Sequence, residues 1–279
     1  MAVFVAGADE SAFGHRGGEF FFGGFVAPEF DWSTYFANAW QERVLDTHPK
    51  LDYLHVTDLK TPSWRLEHGI SEIDAERKID EAFRVIRSQG SLVPITAYLN
   101  AEHWRSAMER GNVRMLVKTP GGMAKKRFDP DYECFLRFAL TTLLYVHDDH
   151  PDAEKVDFVI EVNGPITKHI GRFHKAMPKG LRLAGRPDLA ALVGDLIPGG
   201  KERVPLQAAD LLVWYTRNRK TLSRPDLRRY ARLAARTGFM SHMTNEHIDE
   251  MVVSLTRDSL DGSVTDDADD DEEALPAPA

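Results

Sequence analysis

The sequence predicts an α/β fold: a mixed β-sheet of about five strands flanked by helices, with a helical insertion between strands two and three. Two observations predict it. Two short apolar segments near the N-terminus are separated by a turn-rich stretch, which is typical of a hairpin. Farther along, apolar strand-like segments alternate with long segments of helical spacing, which is typical of crossover connections. Hairpins followed by crossovers give a sheet with antiparallel and parallel pairs.

Each predicted strand is a short apolar run. The first two, residues 3–8 and 20–26, form the hairpin. Residues 156–162 read Val-Asp-Phe-Val-Ile-Glu-Val, and so continuous a run predicts a central strand, the fourth. The third and fifth strands are predicted at residues 93–99 and 189–197.

Four helices are predicted from apolar residues at helical spacing. Residues 71–88 are the clearest case. Their apolar face carries Ile73, Ile79, Ala82, Phe83 and Ile86. The other helices span residues 32–45, with Asp31 or Ser33 as cap, 130–147, and 206–219 after Pro205. Between the first two helices, residues 53–59 are predicted to be irregular or extended.

The net charge of −8 is concentrated at the C-terminus. Residues 258–279 hold nine acids and no base, whereas the rest of the chain holds 35 bases and 34 acids. Such a composition cannot bury enough apolar surface to fold. We therefore predict one domain over residues 1–257 and a disordered acidic tail over residues 258–279. The tail is either a solubilising segment or a mimic of nucleic acid that contacts the protein's own basic surface.

A single cysteine, Cys134, excludes an intramolecular disulfide and any zinc site built on several cysteines, and it fits a reducing compartment. The N-terminus lacks the basic region of a signal peptide, and no apolar run approaches the ~20 residues needed to span a membrane. We expect a cytoplasmic protein without a membrane partner. The oligomeric state stays open.

Three acids occur in apolar surroundings on different elements. Asp9 ends the first strand, Glu161 lies in the fourth, and Asp210 lies in the last helix with Gln207 on the same face. Clustered carboxylates repel one another unless cations neutralise them, and hard divalent ions prefer oxygen ligands. A turn or cap role for Asp9 and an edge-facing or paired role for Glu161 are the alternatives.

Four motifs carry a family resemblance. They are Asp9-Glu10-Ser11, Phe22-Gly23-Gly24-Phe25, Leu54-His55-Val56-Thr57-Asp58-Leu59 and Pro205-Leu206-Gln207-Ala208-Ala209-Asp210-Leu211. Their order over residues 2–220 resembles the domain-of-unknown-function 3800 family. That family usually has glycine after Asp-Glu-Ser, where this chain has Ala12. The resemblance implies a ribonuclease H-like fold, a nuclease activity, and a site with Asp9 on the first strand, Glu161 on the fourth and Asp210 on the last helix.

Other residues are secondary candidates. His55 and Asp58 are predicted to act as proton shuttle, metal ligand or phosphate contact, or His55 merely caps a turn. Asp195, after the fifth strand, is a further ligand or a turn residue. Gly199-Gly200-Lys201 lacks the spacing of a P-loop, so no nucleotide cradle is predicted there.

Two basic segments are candidates for binding a phosphate backbone. One is a flexible glycine-containing loop, residues 118–127, and the other is the segment 217–236. The residues predicted to bind substrate are Lys125, Lys126, Arg127, Arg217, Arg228 and Arg232, the last two forming a helical stripe with Arg236. A solvated helix face is the alternative.

Together these features predict a divalent-metal-dependent nuclease that hydrolyses RNA or DNA. Asp9, Glu161 and Asp210 would bind two Mg or Mn ions, and His55, Asp58 and Gln207 would orient water or phosphate. One alternative is a non-catalytic ribonuclease H-like module that binds nucleic acid or protein. Another is a phosphohydrolase of small nucleotides, which would not need the basic stripe.

Overall fold

A computed structural model describes residues 2–10, 18–119, 122–127, 129–161, 164–234 and 238–260. For residues 115–119, 122–127, 164–169, 234 and 255–260 it describes the backbone alone.

A six-stranded mixed sheet forms the centre of the protein. Its strands are β1 (Ala2–Glu10), β2 (Glu19–Pro28), β3 (Val93–Asn100), β6 (Ala153–Glu161), β7 (Val193–Gly199) and β8 (Phe239–Met243), and a separate hairpin pairs β4 (Arg114–Thr119) with β5 (Gly122–Arg127). The order is β7-β6-β1-β2-β3-β8. Strand β2 is antiparallel to β1 and β3, whereas β1–β6, β6–β7 and β3–β8 are parallel pairs. The predicted α/β class and mixed sheet are confirmed, with one more strand than expected.

Helices cover both faces of the sheet. They are α1 (Ala37–Trp40) between π-helical turns Asp31–Phe36 and Gln41–Leu45, α2 (Val56–Lys60), α3 (Pro62–Glu67), α4 (Glu72–Ser88), α5 (Ala101–Arg110), α6 (Pro130–Asp149), α7 (Gly164–Leu183), α8 (Pro187–Leu192), α9 (Val204–Asn218), α10 (Arg224–Ala234) and α11 (Asn245–Leu260). Helices α1 to α4 lie between β2 and β3, as predicted for the insertion. Among the described residues, no helix is both long and apolar enough to cross a membrane.

Successive side chains of each strand point to opposite faces of the sheet, and this alternation divides the core into two layers. On one face, Phe4 and Phe158 pack with helices α5 to α8. On the other face, Val5 and Val159 pack with helix α9 and the helical insertion. A Cβ atom added to Gly7 would lie 2.5 Å from the Cβ of Pro205. The missing side chain at Gly7 therefore lets the start of α9 rest directly on β1.

Three local predictions of the helical insertion were wrong. Asp31 and Ser33 do not cap the first helix: the backbone is already helical at Phe30, and the Ser33 hydroxyl donates back to the Phe30 carbonyl. Residues 53–59 are not irregular throughout, because α2 begins at Val56. Ile73 does not face the core and is exposed. The cap of α4 is Ser71, whose hydroxyl accepts the Asp74 N–H at 3.0 Å.

Three predictions outside the helical insertion also need correction. Residues 189–192 end helix α8 rather than begin a strand, because Pro187 starts a helical turn that buries Leu189 and Leu192. The predicted loop 118–127 lies in the β4–β5 hairpin, apart from residues 120 and 121, which fall outside the description. Helix α11 extends to Leu260, so residues 261–279 of the predicted acidic tail lie outside the described residues.

Candidate carboxylate site

Two of the predicted carboxylates end neighbouring parallel strands. Strands β1 and β6 pair with Ala8 opposite Ile160, so Asp9 and Glu161 follow side by side. Asp9 lies two residues after Gly7, and Glu161 lies two residues after Val159. Both therefore occupy the face of the sheet that α9 covers. The two acids thus lie at the carboxyl ends of β1 and β6, beneath the start of α9.

The third carboxylate comes from α9, which packs across β1 and β2. One oxygen of Asp210, Oδ2, accepts the backbone N–H of Val56 at 2.7 Å. Burial, followed by the negative charges of Asp210 and Glu161, raises the pKa of Asp9 well above its ordinary value. Burial raises the pKa of Asp210 to about 6, although His55 and the Val56 N–H oppose this. The three acids therefore share one electrostatic environment.

A pocket of about 10 Å³ lies among these acids, and such a volume holds about one water molecule or ion. Its lining comprises Asp9, Leu54, His55, Glu161, Lys201, Leu206, Gln207 and Asp210. Within the part of the chain that the structure describes, no three acidic, histidine or cysteine side chains are already arranged as a metal-binding group.

His55 joins the predicted His55/Asp58 pair to the carboxylates. Its Nδ1 lies 3.0 Å from Asp58 Oδ2, and its Nε2 lies 3.7 Å from Asp210 Oδ1. When Nδ1–H donates to Asp58, the ring is held with Nε2 toward the pocket. Such an imidazole can take or give a proton beside Asp210.

Gln207 has a different environment from the one expected of a residue that orients water. Its Oε1 accepts hydrogen bonds from Trp40 Nε1 and from the backbone N–H of Leu54, both at 2.8 Å. The side chain is buried. These bonds tie the helical insertion and the segment before His55 to α9, so the geometry gives Gln207 a positioning role.

Lys201 is a member of the site that the sequence did not single out. Its Nζ lies 3.3 Å from His55 Nδ1, and its positive charge opposes the rise that burial causes in the pKa of Asp210. One signal was available. Lys201 follows β7, and Gly199 at the end of β7 pairs with Glu161. Residues after the carboxyl ends of parallel strands meet at one edge of a sheet, which predicts this proximity.

Asp195 lies elsewhere. It is the third residue of β7, and its Oδ2 is 2.9 Å from Lys155 Nζ. It lies four positions before Gly199, which is level with Glu161. At about 3.3 Å per residue, it lies roughly 13 Å along the strand from that level. The structure therefore places Asp195 outside the carboxylate pocket.

The basic candidates separate into different groups. Arg217, Arg228 and Arg232 are exposed, and the last two lie four residues apart on α10. Arg229 instead forms ion pairs with Glu76, Asp80 and Asp226, and Arg219 pairs with Glu19. The side chains of Lys125, Lys126 and Arg127 and the whole of Arg236 lie outside the description. Part of the basic segment thus stabilises the fold, and part faces solvent.

Comparison with known protein families, with curated proteins and with solved structures finds no match for this chain.

Proposed function

We propose that this protein is a divalent-metal-dependent nuclease with a ribonuclease H-like fold. The observation that carries the proposal is the pocket in which Asp9, Glu161 and Asp210 meet from β1, β6 and α9. The resemblance of the sequence motifs to the domain-of-unknown-function 3800 family supports the same fold and activity.

The donor set fits a hard divalent cation. Asp9, Glu161 and Asp210 offer carboxylate oxygens, the ligands that Mg²⁺ and Mn²⁺ prefer. Burial, and after it the negative charge of neighbouring carboxylates, raises the pKa of Asp9 and of Asp210, and a bound cation would offset both effects. These three residues would hold the metal, and the pocket has room for about one of the two ions that the sequence predicts. Divalent ions there supply an activated water and stabilise charge on the leaving oxygen.

The remaining residues of the site have separable tasks. Asp58 holds the His55 ring so that Nε2 is available for proton transfer next to Asp210. Gln207 fixes the backbone that carries His55. Exposed Arg217, Arg228 and Arg232, together with Lys125, Lys126 and Arg127, are proposed to bind the phosphate backbone of RNA or DNA.

A second candidate function is a non-catalytic module that binds nucleic acid or a partner protein. The position of Lys201 favours it, because its ammonium group already supplies a positive charge at the carboxylate pocket. In such a module, the acids would need no metal and the exposed arginines would still bind phosphates.

The deciding experiment incubates the full chain with labelled RNA and DNA, single- and double-stranded, in Mg²⁺, Mn²⁺ or EDTA. Asp9→Asn and Asp210→Asn remove carboxylates of the pocket, and Asp195→Asn is the matched control outside it. We expect cleavage that requires metal, is lost in the first two variants and persists in the third. No cleavage of any substrate, with no metal-induced rise in melting temperature, would leave the binding module as the better account.

A further inference from the structure

The segment that precedes α2 places Tyr53 beside the carboxylate pocket. The backbone N–H groups of Leu54 and Val56 donate to Gln207 and Asp210 of α9. Leu54 and Val56 are buried, and the backbone at His55 is extended. Tyr53 and His55 instead remain partly exposed, and both project toward Lys201.

Lys201 contacts both of these projecting side chains. Its Nζ lies 3.3 Å from His55 Nδ1 and 5.7 Å from the centre of the Tyr53 ring. A cation near an aromatic face is attracted by the ring, which fixes the two side chains relative to each other. Tyr53 nevertheless remains 36% exposed. A partly exposed aromatic ring and an ammonium group therefore stand together at the edge of the pocket.

The size of the pocket determines what this pair can contact. With about 10 Å³ among the acids, the pocket admits an ion or a water molecule and no part of a nucleotide. A phosphodiester under attack must lie at the rim, where Lys201 supplies positive charge. The base of the nucleotide that carries this phosphate would then lie near the Tyr53 ring, which Lys201 also approaches.

We propose that Tyr53 and Lys201 form a nucleotide subsite at the rim of the carboxylate pocket, where an unpaired base stacks on Tyr53 and the adjoining phosphate pairs with Lys201. This inference rests on the proposed nuclease function and adds the class of substrate. Inside a duplex both faces of a base are covered by its neighbours, so an aromatic side chain stacks on an unpaired or terminal base. The subsite therefore selects single-stranded RNA or DNA.

The test measures binding of fluorescein-labelled oligothymidine, oligouridine and a blunt DNA duplex by anisotropy in EDTA, so that no cleavage intervenes. Stacking of one base is worth ~1–3 kcal/mol, so Tyr53→Leu is expected to weaken single-strand binding by about 5- to 150-fold. Tyr53→Phe keeps the ring and retains the affinity. Lys201→Met is expected to weaken binding and to reduce its salt dependence, because one phosphate contact is lost.

Matched controls are Tyr35→Leu and Lys175→Met. Tyr35 is an exposed tyrosine of the helical insertion, and Lys175 is an exposed lysine on α7, which covers the opposite face of the sheet. Neither control is expected to change the affinity. Unchanged single-strand affinity in Tyr53→Leu and Lys201→Met, or equal losses for single strand and duplex in Tyr53→Leu, would overturn the subsite.

Hydrolysis of bis(p-nitrophenyl) phosphate with Mn²⁺ separates this proposal from the nuclease function. That substrate is a phosphodiester without a nucleoside, so its hydrolysis by the native chain, lost in Asp9→Asn, reports on the carboxylate pocket. Hydrolysis by the native chain without any effect of Tyr53 on strand binding would contradict the subsite and support the nuclease function. Strand binding that depends on Tyr53, without hydrolysis by the native chain, would contradict the nuclease function and support the subsite.

Discussion

Replacing Asp210 by asparagine should stabilise the metal-free protein at alkaline pH. Burial and the nearby carboxylates disfavour the ionised form of Asp210, whose pKa is raised from 3.8 to about 6. A change of that size corresponds to about 3 kcal/mol of unfavourable free energy once the carboxyl is ionised. Asparagine keeps an oxygen that can accept the Val56 N–H, so the variant removes the charge and preserves the hydrogen bond.

The pH dependence gives this prediction its sign. Because the folded-state pKa is raised, the destabilisation caused by ionising Asp210 is absent below about pH 3.8. It grows as pH rises toward 6 and is complete at pH 8. Urea unfolding in EDTA should therefore give Asp210→Asn a free energy of unfolding higher by up to about 3 kcal/mol at pH 8. The advantage should vanish near pH 4. A variant that is less stable than the native chain at pH 8 would refute the argument that burial and nearby carboxylates make ionised Asp210 unfavourable.

Asp195→Asn is the matched control for that experiment. Hydrogen bonding to Lys155 lowers the pKa of Asp195, so its ionised form is favoured in the folded protein. Neutralising it should give no gain in stability at pH 8. A similar gain in both variants would show a general effect of net charge in place of a local cost of ionising Asp210 in its buried site.

Three further substitutions test how the site is supported. Gly7→Ala places a methyl group 2.5 Å from a side-chain atom at the start of α9. Urea unfolding should show a loss of stability of about 1–3 kcal/mol. The control Gly90→Ala places its methyl group in open space and should leave stability unchanged. Lys78→Met removes the buried ammonium that donates to carbonyls at the end of the first helical segment, and should lower the melting temperature through the unpaired carbonyls. Gln207→Leu leaves the Trp40 N–H without its acceptor and should cost about 1–3 kcal/mol, with altered tryptophan fluorescence. Retained stability in any of the three would contradict the packing or hydrogen bond assigned to it.

The strands near the site could be predicted because their burial is visible in the sequence. Strands β1, β2, β3 and β6 are apolar runs long enough to be recognised singly. Strand β8 was missed because Phe239–Met243 contains a serine and a histidine and lies at the edge of the sheet, where burial is incomplete. Helix α5 was not predicted, because it begins at an Asn100 cap directly after β3, without an intervening turn to mark its start.

The positions of the acids could be predicted, and their surroundings could not. Asp9 and Glu161 interrupt apolar strands, which is a local signal, and the structure brings them to one pocket with Asp210. Lys201 lies in a polar turn between β7 and α9, so its proximity depends on strand pairing. The sequence predicts that Gln207 orients water or phosphate, because its partners, Trp40 and Leu54, are far away in sequence and give no local signal. Such contacts are set by tertiary packing alone.

The most direct test of the central claim is calorimetric titration of Mn²⁺ into the native chain, Asp9→Asn and Asp195→Asn. If the carboxylates of β1, β6 and α9 form a metal site, the native chain and Asp195→Asn bind Mn²⁺ with the same affinity, and Asp9→Asn loses most of the binding. Absence of Mn²⁺ binding by the native chain, or equal binding by Asp9→Asn, would contradict the assignment of this pocket as a metal site.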